Sequence, residues 1–546
     1  MVGTPHDMYG RRDDDAHSVV DDSPGAPRTT PTVPSSFRSW LAPPFTAFVF
    51  LIHFGVTLSR PSAIFNDPGT GWHLATGRWI LETASIPRQD AFSFTAAGHP
   101  WISYAWLFEA AAAALAKIGG LPLFAGACAA VYSFIPVLVF RRCLRLGASL
   151  VPAFLFTTLA YLVLTSHALA RPHIFTYLFF AITLEVFGDV QDGRRPIRSL
   201  RWLPLLAAIW CNIHSGFVVA LTLAGLYAAV ALFRGWMLAD DGEWRRGVAF
   251  AATMVAMGAA TLLNPSGPWL HVEIVHHLGM LATRYFSEFQ SPDFYFGHIS
   301  MFSFELMILF VIVAVARGRV AWIDVVLCVF FIHEGLESVR HMNLFAIVAA
   351  PIVARELSAP FDALLPRLAA RCREIVTEQS RLRSAAVYLP AFAAIFVALS
   401  AIRVVPFPVT LDGLQLSRDA AEFIGAHRAD FTRAFNTDDL GGSLIYRFWP
   451  DLHIFVDDRI SVYGDDFITK DYFTVLYGKA GWQDVLDRYE LTAAAVSADR
   501  PCTTLLRASA DWKVVFEDDK NVLFVRISDA NIQRAPGPTP VATSAM

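Results

Sequence analysis

The chain has 546 residues, of which 55% are hydrophobic and 17% are charged, and its formal net charge is -4. Soluble proteins carry about 25% charged residues, so this composition excludes an ordinary soluble enzyme, and the nearly balanced charge gives no sign of nucleic-acid binding. The charge deficit is concentrated between residues 40 and 405, where apolar runs of about 20 residues recur, long enough to cross a hydrocarbon core. The sequence therefore predicts a polytopic α-helical membrane protein.

The two ends of the chain are polar. Residues 1–38 are rich in Asp, Pro, Ser and Thr and lack a signal-peptide pattern, which predicts a disordered cytoplasmic tail. Residues 531–546 are predicted to form a second disordered tail. Between the tails we expect a multi-span membrane domain at 39–405 and an extracytoplasmic domain at 406–530.

Apolar runs follow one another through the membrane domain and predict about 11 transmembrane helices. The candidate spans are residues 41–58, 121–140, 151–169, 173–189, 202–215, 217–233, 247–263, 301–316, 320–333, 341–354 and 385–403. Several are short for a full crossing. The pair 202–215 and 217–233 could instead form one broken helix or a re-entrant element.

The charge of the connecting loops predicts the orientation. Alternate short loops are rich in arginine, and basic loops stay in the cytoplasm. With about 11 spans, this rule places the N-terminus inside and both the loop 59–120 and the region after residue 405 outside. The expected location is the inner (cytoplasmic) membrane, crossed several times.

The first outer loop opens with a segment, Asn66 to Ile80, that contains an acid, a histidine and two tryptophans. Asp67 could accept a proton from an attacking hydroxyl or hold a divalent cation against a phosphate. An Asp before a proline is also a common start of a turn. Because His73 follows on a helix-like run, we take Asp67 as the candidate catalytic residue and His73 as a candidate substrate-binding residue.

Later in the same loop, residues 103–118 are strongly helix-forming and are followed by Gly119-Gly120, a typical helix stop. At about 16 residues this helix is too short to cross a membrane comfortably. Trp101 and Trp106 favour a helix that lies at the outer interface.

The other outer loops collect polar residues of both signs next to the membrane. An ionised group inside the membrane costs roughly 2.5–3.5 kcal/mol on insertion scales, so such residues indicate a cavity, a partner or a ligand. Together they predict a water-filled pocket for an anionic ligand. The candidate substrate-binding residues in these loops are Arg171, His173, His214, Glu288, Asp293, Arg340 and His341.

The two arginines have competing interpretations. Both suit bidentate contact with a lipid phosphate. Arg171 could equally anchor its span at the interface, and Arg340 could simply pair with Glu334 or Glu337 nearby.

No definite metal site stands out. His276-His277 near Glu273 imitates one, but no HExxH motif is present and a solvated amphipathic helix explains the pattern better. The six cysteines are scattered, without zinc spacing. We therefore assign no metal ligand, and a divalent cation stays open as a cofactor. The absence of GxSxG, Walker A and GxGxxG motifs argues against a hydrolase or an ATPase.

After residue 405, apolar runs shorten to about 4–8 residues and strand-like and helix-like runs alternate, which predicts a small α/β domain. The predicted strands are 431–436, 453–457, 493–497, 513–517 and 521–526, and the predicted helices are 419–428, 442–448 and 482–489. Three acidic pairs could bind a cation or a sugar, although solvated loops are the simpler explanation. The pairs are Asp438-Asp439, Asp457-Asp458 and Asp465-Asp466.

The segment from Asp67 to Gly77 reads D-x-x-T-x-W-H-L-A-x-G, and with it the chain resembles the GT-C superfamily of polytopic glycosyltransferases, more narrowly a bacterial subgroup with this loop. Similar short motifs of that group match Ile86 to Thr95, Trp101 to Glu109, Arg171 to His173, Trp210 to Gly216, Asn264-Pro265, Arg340 to Asn343 and Phe435 to Gly442. The resemblance implies a lipid-phosphate-linked sugar donor used outside the cytoplasmic membrane and an acid of the first outer loop as the catalytic residue, here Asp67.

The chain departs from the group at two places. Pro68 and Gly69 stand where a second acid would follow Asp67, and Tyr104-Ala105 replaces a His-Glu pair. The resemblance therefore implies no acidic pair for a metal ion at this loop.

The favoured hypothesis is a membrane glycosyltransferase that moves a sugar from a polyprenyl-phosphate donor to an acceptor at the outer face of the cytoplasmic membrane. Its partners would be the lipid-phosphate-linked sugar, membrane lipids and an unidentified glycan, lipid or protein acceptor, with no nucleic acid. Two alternatives are a non-catalytic carrier or flippase for a lipid-linked saccharide, and an inactive relative that serves as an assembly or binding module.

Overall fold

The computed structural model describes residues 45–59, 61–295, 298–381, 410–411 and 413–527. The two predicted tails and the predicted span at 385–403 lie outside the described residues. So does the expected domain boundary near residue 405.

Long apolar runs form the helices of the first part, because a helix satisfies its backbone hydrogen bonds within itself even where no water is present. In the described residues up to 381 the α-helices are α1 (Phe45–Leu58), α2 (Thr70–Thr83), α3 (Trp106–Arg145), α4 (Leu150–Leu164), α5 (His173–Gln191), α6 (Leu203–Trp210), α7 (Val218–Leu238), α8 (Asp241–Ala260), α9 (Trp269–Gly279), α10 (Ile299–Ala316), α11 (Trp322–Glu337), α12 (Met342–Leu364) and α13 (Pro366–Arg381).

Within the described part of the chain, six helical segments are long and apolar enough to cross a membrane. They are Trp106–Arg145, Leu150–His167, His173–Gln191, Ser215–Leu238, Ile299–Ala316 and Val339–Leu364. Helices α1 and α11 are apolar but shorter, with 14 and 16 residues. The chain is a polytopic α-helical membrane protein, as predicted, while the total of about 11 spans stays a prediction.

The predicted span at 202–215 does not form one continuous helix. Its helix α6 has eight residues and ends at Trp210. A short turn follows, and His214 closes it by accepting a hydrogen bond from the backbone N–H of Gly216 at 3.0 Å. Helix α7 begins only at Val218, so 202–215 and 217–233 form two separate helical segments.

The predicted helix at 103–118 is the first part of α3. Its helical geometry is interrupted at Gly119 (φ -133°, ψ 18°) and Gly120 (φ 70°, ψ -175°), a conformation that a residue with a Cβ rarely adopts. The glycine pair therefore separates a first segment from the apolar continuation that ends at Arg145. The interfacial location of the first segment stays a prediction.

A four-stranded sheet organises the C-terminal domain, which has one strand fewer in its described residues than the five predicted. Its strands are β1 (Ala434–Asn436), β2 (Ala493–Ser497), β3 (Trp512–Glu517) and β4 (Asn521–Arg526), in the spatial order β1-β2-β4-β3. β1 and β2 run parallel, and β4 runs antiparallel to both β2 and β3. Asp518 shapes the β3–β4 turn, because its Oδ1 accepts the backbone N–H groups of Lys520 and Asn521 at 2.9 and 2.8 Å.

Helices flank this sheet. They are α14 (Arg418–Ala426), α15 (Asp438–Phe448), α16 (Ile460–Tyr463), α17 (Phe473–Leu476), α18 (Trp482–Arg488) and α19 (Pro501–Ala508). Three of them contain or overlap the predicted helices, although α15 begins four residues earlier than predicted, at Asp438.

The predicted strand at 453–457 is wrong. Ile454 forms only an isolated bridge with Ser93, through hydrogen bonds from Ile454 N to Phe92 O and from Phe94 N to Ile454 O, both 3.0 Å. The segment is apolar enough for a strand, but its backbone partner is the first outer loop rather than the sheet of its own domain. The C-terminal domain is thus joined to that loop by main-chain hydrogen bonds.

Two hydrophobic cores form. One lies among the membrane helices and includes the buried Tyr132 and Trp210. The second combines the sheet and helices of the C-terminal domain with Trp72, Phe92 and Trp101 of the outer loop. Burying a side chain of the size of Phe is worth about 1.5–3 kcal/mol, so the outer loop and the C-terminal domain stabilise each other.

Candidate active site

Asp67 lies where the chain leaves helix α1 and enters α2. Its backbone N–H donates to Phe65 O at 2.7 Å. Thr70, the first residue of α2, donates its hydroxyl to Asp67 Oδ2 at 3.2 Å. A turn is therefore present, as an Asp-Pro pair suggests. The carboxylate of Asp67 nevertheless faces the protein interior, since Asp67 is only 4% exposed.

Arg171 is brought to Asp67 by a hydrogen bond between two distant backbone segments. Ala170 N donates to Ile64 O at 2.7 Å. This contact sets Arg171 Nη1 3.1 Å from Asp67 Oδ1, so the two side chains form an ion pair.

Two further carboxylates meet the same guanidinium. Glu288 Oε2 lies 3.4 Å from Arg171 Nη1, and Asp458 Oδ2 lies 3.1 Å from Arg171 Nη2. The other oxygen of Asp458 accepts a hydrogen bond from Trp72 Nε1 at 2.6 Å. The loop between α9 and α10 and the C-terminal domain thus each supply one acid to the arginine that faces Asp67.

These acids differ in protonation. Burial raises the pKa of Asp67, and the nearby Arg171 opposes this rise without cancelling it. Burial raises the pKa of Asp458 to about 7, against the effect of Arg171, and repulsion from Asp67 adds to the rise. Burial alone would also raise the pKa of Glu288, but Arg340 and Arg171 outweigh it and lower that pKa to about 2. Glu288 is therefore ionised at neutral pH, while Asp67 and Asp458 compete for one cation.

Arg340 is the second arginine of the site. Its Nη1 lies 3.7 Å from Glu288 Oε1, and its guanidinium lies 4.6 Å from the centre of the Phe289 ring. Two bonds hold this loop in place, from Ser338 Oγ to Glu288 O at 2.9 Å and from Val339 N to Gln290 O at 3.0 Å. Glu288 therefore links Arg171 and Arg340.

His73 is buried behind Trp72. Its Nδ1 lies 3.0 Å from Glu109 Oε1, and Ser103 donates its hydroxyl to the other oxygen of Glu109 at 2.7 Å. The imidazole lies against the Trp72 ring, with ring centres 3.6 Å apart and the ring planes tilted by 32°. Burial and the nearby Arg171 lower the pKa of His73 far below its usual value, so His73 is neutral and anchors α2 to α3.

His173 and His214 are both buried. His173 Nε2 donates to His167 O at 2.8 Å, and the rings of His173 and His214 lie 6.5 Å apart. Burial, reinforced by Arg340 and Arg171, lowers the pKa of His214 to about 3. His214 is therefore a neutral hydrogen-bonding group and not a cation for a phosphate.

The remaining two candidates lie outside this cluster as far as the described residues show. Asp293 is exposed and accepts the backbone N–H of Tyr295 at 2.8 Å, as in a turn. His341 lies next to Arg340 in sequence, but its Nδ1 is 3.3 Å from Glu334 Oε2. Glu334 thus lies against His341, and the acid that contacts Arg340 is Glu288.

Asp458 is the site residue that sequence reasoning missed, because solvated loops seemed the simpler explanation of the acidic pairs. Its neighbour Asp457 is fully buried and bonded to Arg459 at 2.6 Å, and Arg459 also reaches Asp90 at 2.8 Å. The guanidinium of Arg459 lies 4.6 Å from the centre of the Trp101 ring. The apolar run just before Asp457 was the one local signal of burial.

The other acidic pairs are mostly satisfied within the protein. In the first pair, Tyr472 donates its hydroxyl to Asp438, and Ser497 donates to Asp439 at 2.6 Å. In the second pair, Asp465 accepts the backbone N–H groups of Leu281 and Ala282 at 2.8 Å each. Its neighbour Asp466 forms an ion pair with Lys470 at 2.8 Å. Of these four acids, only Asp466 is solvated on the surface.

The residues at the site do not fit a divalent cation. Such ions bind carboxylate oxygens, and here the guanidinium of Arg171 lies where Asp67, Glu288 and Asp458 converge. Nowhere in the described ranges are three or more His, Cys, Asp and Glu side chains grouped as metal ligands.

The close fit between the outer loop and the C-terminal domain explains the glycines of both motifs. A Cβ on Gly71 would lie 2.1 Å from the carbonyl oxygen of Gly442, and a Cβ on Gly442 would lie 1.9 Å from that of Pro68. A Cβ on Gly69 would lie 2.8 Å from Asp458 Oδ2. The segment that holds Asp67 is therefore packed directly against the start of α15.

Solved glycosyltransferases of the GT-C superfamily share this fold. The oligosaccharyltransferase of Archaeoglobus fulgidus in the apo form superposes with a TM-score of 0.51 at 12% identity, over 84% of this chain and 70% of that one. The same enzyme, AglB, in complex with an inhibitory peptide and a dolichol phosphate gives a TM-score of 0.51 at 11% identity, over 83% of this chain and 69% of that one.

ArnT from Cupriavidus metallidurans, bound to undecaprenyl phosphate, gives a TM-score of 0.50 at 14% identity, over 91% of this chain and 99% of that chain. No protein-family model matches the sequence, and no curated protein matches it. At these identities the likeness establishes the fold, and the GT-C-like architecture predicted from the sequence is confirmed.

Proposed function

We propose that this chain is an integral-membrane glycosyltransferase that moves a sugar from a polyprenyl-phosphate donor to an acceptor at the outer face of the inner (cytoplasmic) membrane. The observation that carries the proposal is the convergence of Asp67, Glu288, Arg171 and Arg340. Arg171 contacts the buried carboxylate of Asp67, and Glu288 links Arg171 to Arg340. The fold supports it, because ArnT was solved with undecaprenyl phosphate and AglB with dolichol phosphate.

Asp67 is the general base in this proposal. Arg171 and Thr70 each hold one of its oxygens, which fixes the carboxylate while both oxygens keep a lone pair for a proton. Asp67 takes the proton of the acceptor hydroxyl as the acceptor oxygen bonds to the anomeric carbon of the sugar. The bond from that carbon to the phosphate oxygen breaks, and its electron pair leaves with the polyprenyl phosphate.

Arg340, rather than Arg171, binds the departing phosphate. Arg171 already faces three carboxylates, so its charge is more than neutralised before any ligand arrives. Within the described ranges Arg340 has one carboxylate partner, Glu288, at the longer distance of 3.7 Å, so more of its charge is left for a ligand. The donor therefore approaches from the side of Arg340.

The buried histidines have a supporting role. A neutral imidazole has one donor nitrogen and one acceptor nitrogen. His173 Nε2 already donates to His167 O and His214 Nδ1 already accepts the N–H of Gly216, so His173 Nδ1 and His214 Nε2 are left as one acceptor and one donor. We assign these two nitrogens to the sugar hydroxyls, and His73 to the positioning of α2.

Replacement of Asp67 by Asn tests the proposal. The amide keeps the shape of the side chain but cannot take a proton, so we expect a fall of about 10²–10⁴-fold in turnover. Purified wild type and Asp67→Asn in liposomes are compared with a panel of polyprenyl-phosphate sugars and with glycan, lipid and peptide acceptors. Asp466→Asn, which changes an exposed acid of the C-terminal domain, is the control.

Turnover by Asp67→Asn equal to that of Asp466→Asn rules out Asp67 as the base. A wild type that binds a lipid-linked sugar but transfers it to none of the acceptors contradicts the transferase and favours a carrier or binding module. Equal melting temperatures of the two variants show that loss of turnover is not loss of fold.

A further inference from the structure

Asp458 is placed to affect the chemistry at Asp67 without touching it. Both acids bind the same guanidinium, Asp67 through Nη1 and Asp458 through Nη2 of Arg171, each at 3.1 Å. The second oxygen of Asp458 is held by Trp72 Nε1, and Trp72 lies on the helix that begins three residues after Asp67. Asp458 therefore contacts Arg171, which holds one oxygen of Asp67, and Trp72, which lies on the helix that follows Asp67.

The position of Asp458 depends on the docking of the C-terminal domain. Asp457, the preceding residue, is locked by Arg459, which is itself paired with Asp90 of the outer loop. The backbone contact between Gly71 and Gly442 leaves no room for a side chain. Asp458 reaches Arg171 only when these surfaces meet.

We infer that Asp458 is a positioning residue of the active site, which orients Arg171 and sets the basicity of Asp67, so that the site is complete only with the C-terminal domain docked. This role depends on the proposed function, since it concerns the same carboxylate. Three charged groups act most strongly on Asp458, namely Arg171, Asp67 and Asp457, and Glu288 shares Arg171 with it.

The charge of Asp458 has a defined effect on the base. It draws part of the attraction of Arg171 away from Asp67, so it makes ionised Asp67 less stable and keeps its pKa higher. When that charge is removed, Arg171 interacts more strongly with Asp67 and Glu288, and the pKa of Asp67 falls. Because Asp458 carries this charge only above its pKa of about 7, the rate profile should show an inflection near pH 7 that depends on Asp458, an effect that a purely structural contact would not produce.

The test compares wild type, Asp458→Asn and the exposed-acid control Asp466→Asn. We expect kcat/KM to show an inflection near pH 7, where Asp458 ionises, in wild type and Asp466→Asn, and to lack this inflection in Asp458→Asn. A second variant, Asp458→Ala, also removes the acceptor for Trp72, so we expect a further loss of kcat of about tenfold, with little change in KM for the donor.

Melting temperature against pH gives a readout that needs no turnover. Burial raises the pKa of Asp458 to about 7 in the folded protein, compared with about 3.9 when unfolded. The folded state thus binds more protons between these values, so stability falls as pH rises from about 4 to about 7 and levels off above. Asp458→Asn should show a smaller fall than Asp466→Asn.

The two readouts separate the possible failures. If the pH–rate profile and the melting profile of Asp458→Asn both match those of Asp466→Asn, the inference is overturned. A changed melting profile with an unchanged inflection of the rate near pH 7 shows that Asp458 is only structural and also overturns it. If the wild type transfers no sugar, the proposed function fails, and the melting profile alone decides whether Asp458 and Asp67 share Arg171 in solution.

Discussion

The two arginines of the site are chemically alike but are placed in opposite surroundings. Arg171 contacts three carboxylates. Arg340 contacts only one of these, Glu288, within the described residues, and its guanidinium packs against the ring of Phe289. An arginine between three acids is a structural cation, and one with free donors can still bind a ligand. Their sequence contexts, a proline after one and acids near the other, do not reveal this difference.

Substitution of the arginines should separate binding from stability. Arg340→Gln removes a charge-assisted contact with the donor phosphate, so we expect binding of polyprenyl phosphate to weaken by about 10–100-fold, with little change in melting temperature. Arg171→Gln leaves Asp67, Glu288 and Asp458 without their shared cation, so we expect it to lose about 3–5 kcal/mol of stability.

Lipid binding and melting are measured for both variants and for Arg284→Gln, an exposed arginine of the same outer region. Weaker binding by Arg171→Gln than by Arg340→Gln, in protein that melts normally, would show that the assignment of the phosphate to Arg340 is wrong.

At the scale of elements, helix α9 is the least expected. The segment suggests a solvated amphipathic helix, yet four of its apolar side chains, Trp269, Val272, Val275 and Leu278, are more than half exposed. The helix lies between α8 and α10, and the loop that follows it is tied to Asp465 of the C-terminal domain by two backbone hydrogen bonds. An apolar face in this position fits the interface between lipid and water.

We expect α9 to lie at the membrane surface. Val275→Cys carrying a fluorescent label should be quenched by brominated lipids of shallow depth, whereas a label at Lys479, exposed on the C-terminal domain, should be quenched only by soluble agents. Cys372, the one half-buried cysteine of the described residues, is replaced by Ser in both. Quenching of position 275 by soluble agents alone would place α9 in water.

At the scale of the whole molecule, the first outer loop and the C-terminal domain share one core, although more than 300 residues separate Trp72 from Phe435. Arg459 is central to it, buried between Asp90 and Asp457 and close to aromatic rings. The main-chain bonds between Ile454 and residues 92–94 extend the joint. The two parts should therefore unfold together.

Arg459→Met tests this joint. It leaves two buried carboxylates unpaired, so we expect a loss of about 3–5 kcal/mol and an equal gain in protease sensitivity at the outer loop and in the C-terminal domain. Arg488→Met, which changes an exposed arginine paired with Asp471, should do neither. Cleavage confined to the C-terminal domain would contradict a shared core.

Local pattern was enough for the class of protein and for most elements. Composition and apolar run length predicted a polytopic membrane protein, and alternation of short runs predicted four of the strands. The glycine pair at 119–120 predicted the break in α3. The loop motif from Asp67 to Gly77 indicated the GT-C-like fold that the solved structures bear out. Each of these properties depends on residues that are neighbours along the chain.

By itself, then, the sequence determined that the chain is a polytopic membrane protein, and it determined the fold and the acid to examine first. Only the tertiary structure decided that Asp67 shares Arg171 with Asp458, that Glu288 joins this cluster while Asp293 does not, and that residues 453–457 pair with the outer loop. These contacts join segments more than 100 residues apart, and burial rather than local pattern sets which charges meet. The sequence shows which charged side chains are present, but the pairing of the buried charges depends on which segments pack together in the fold.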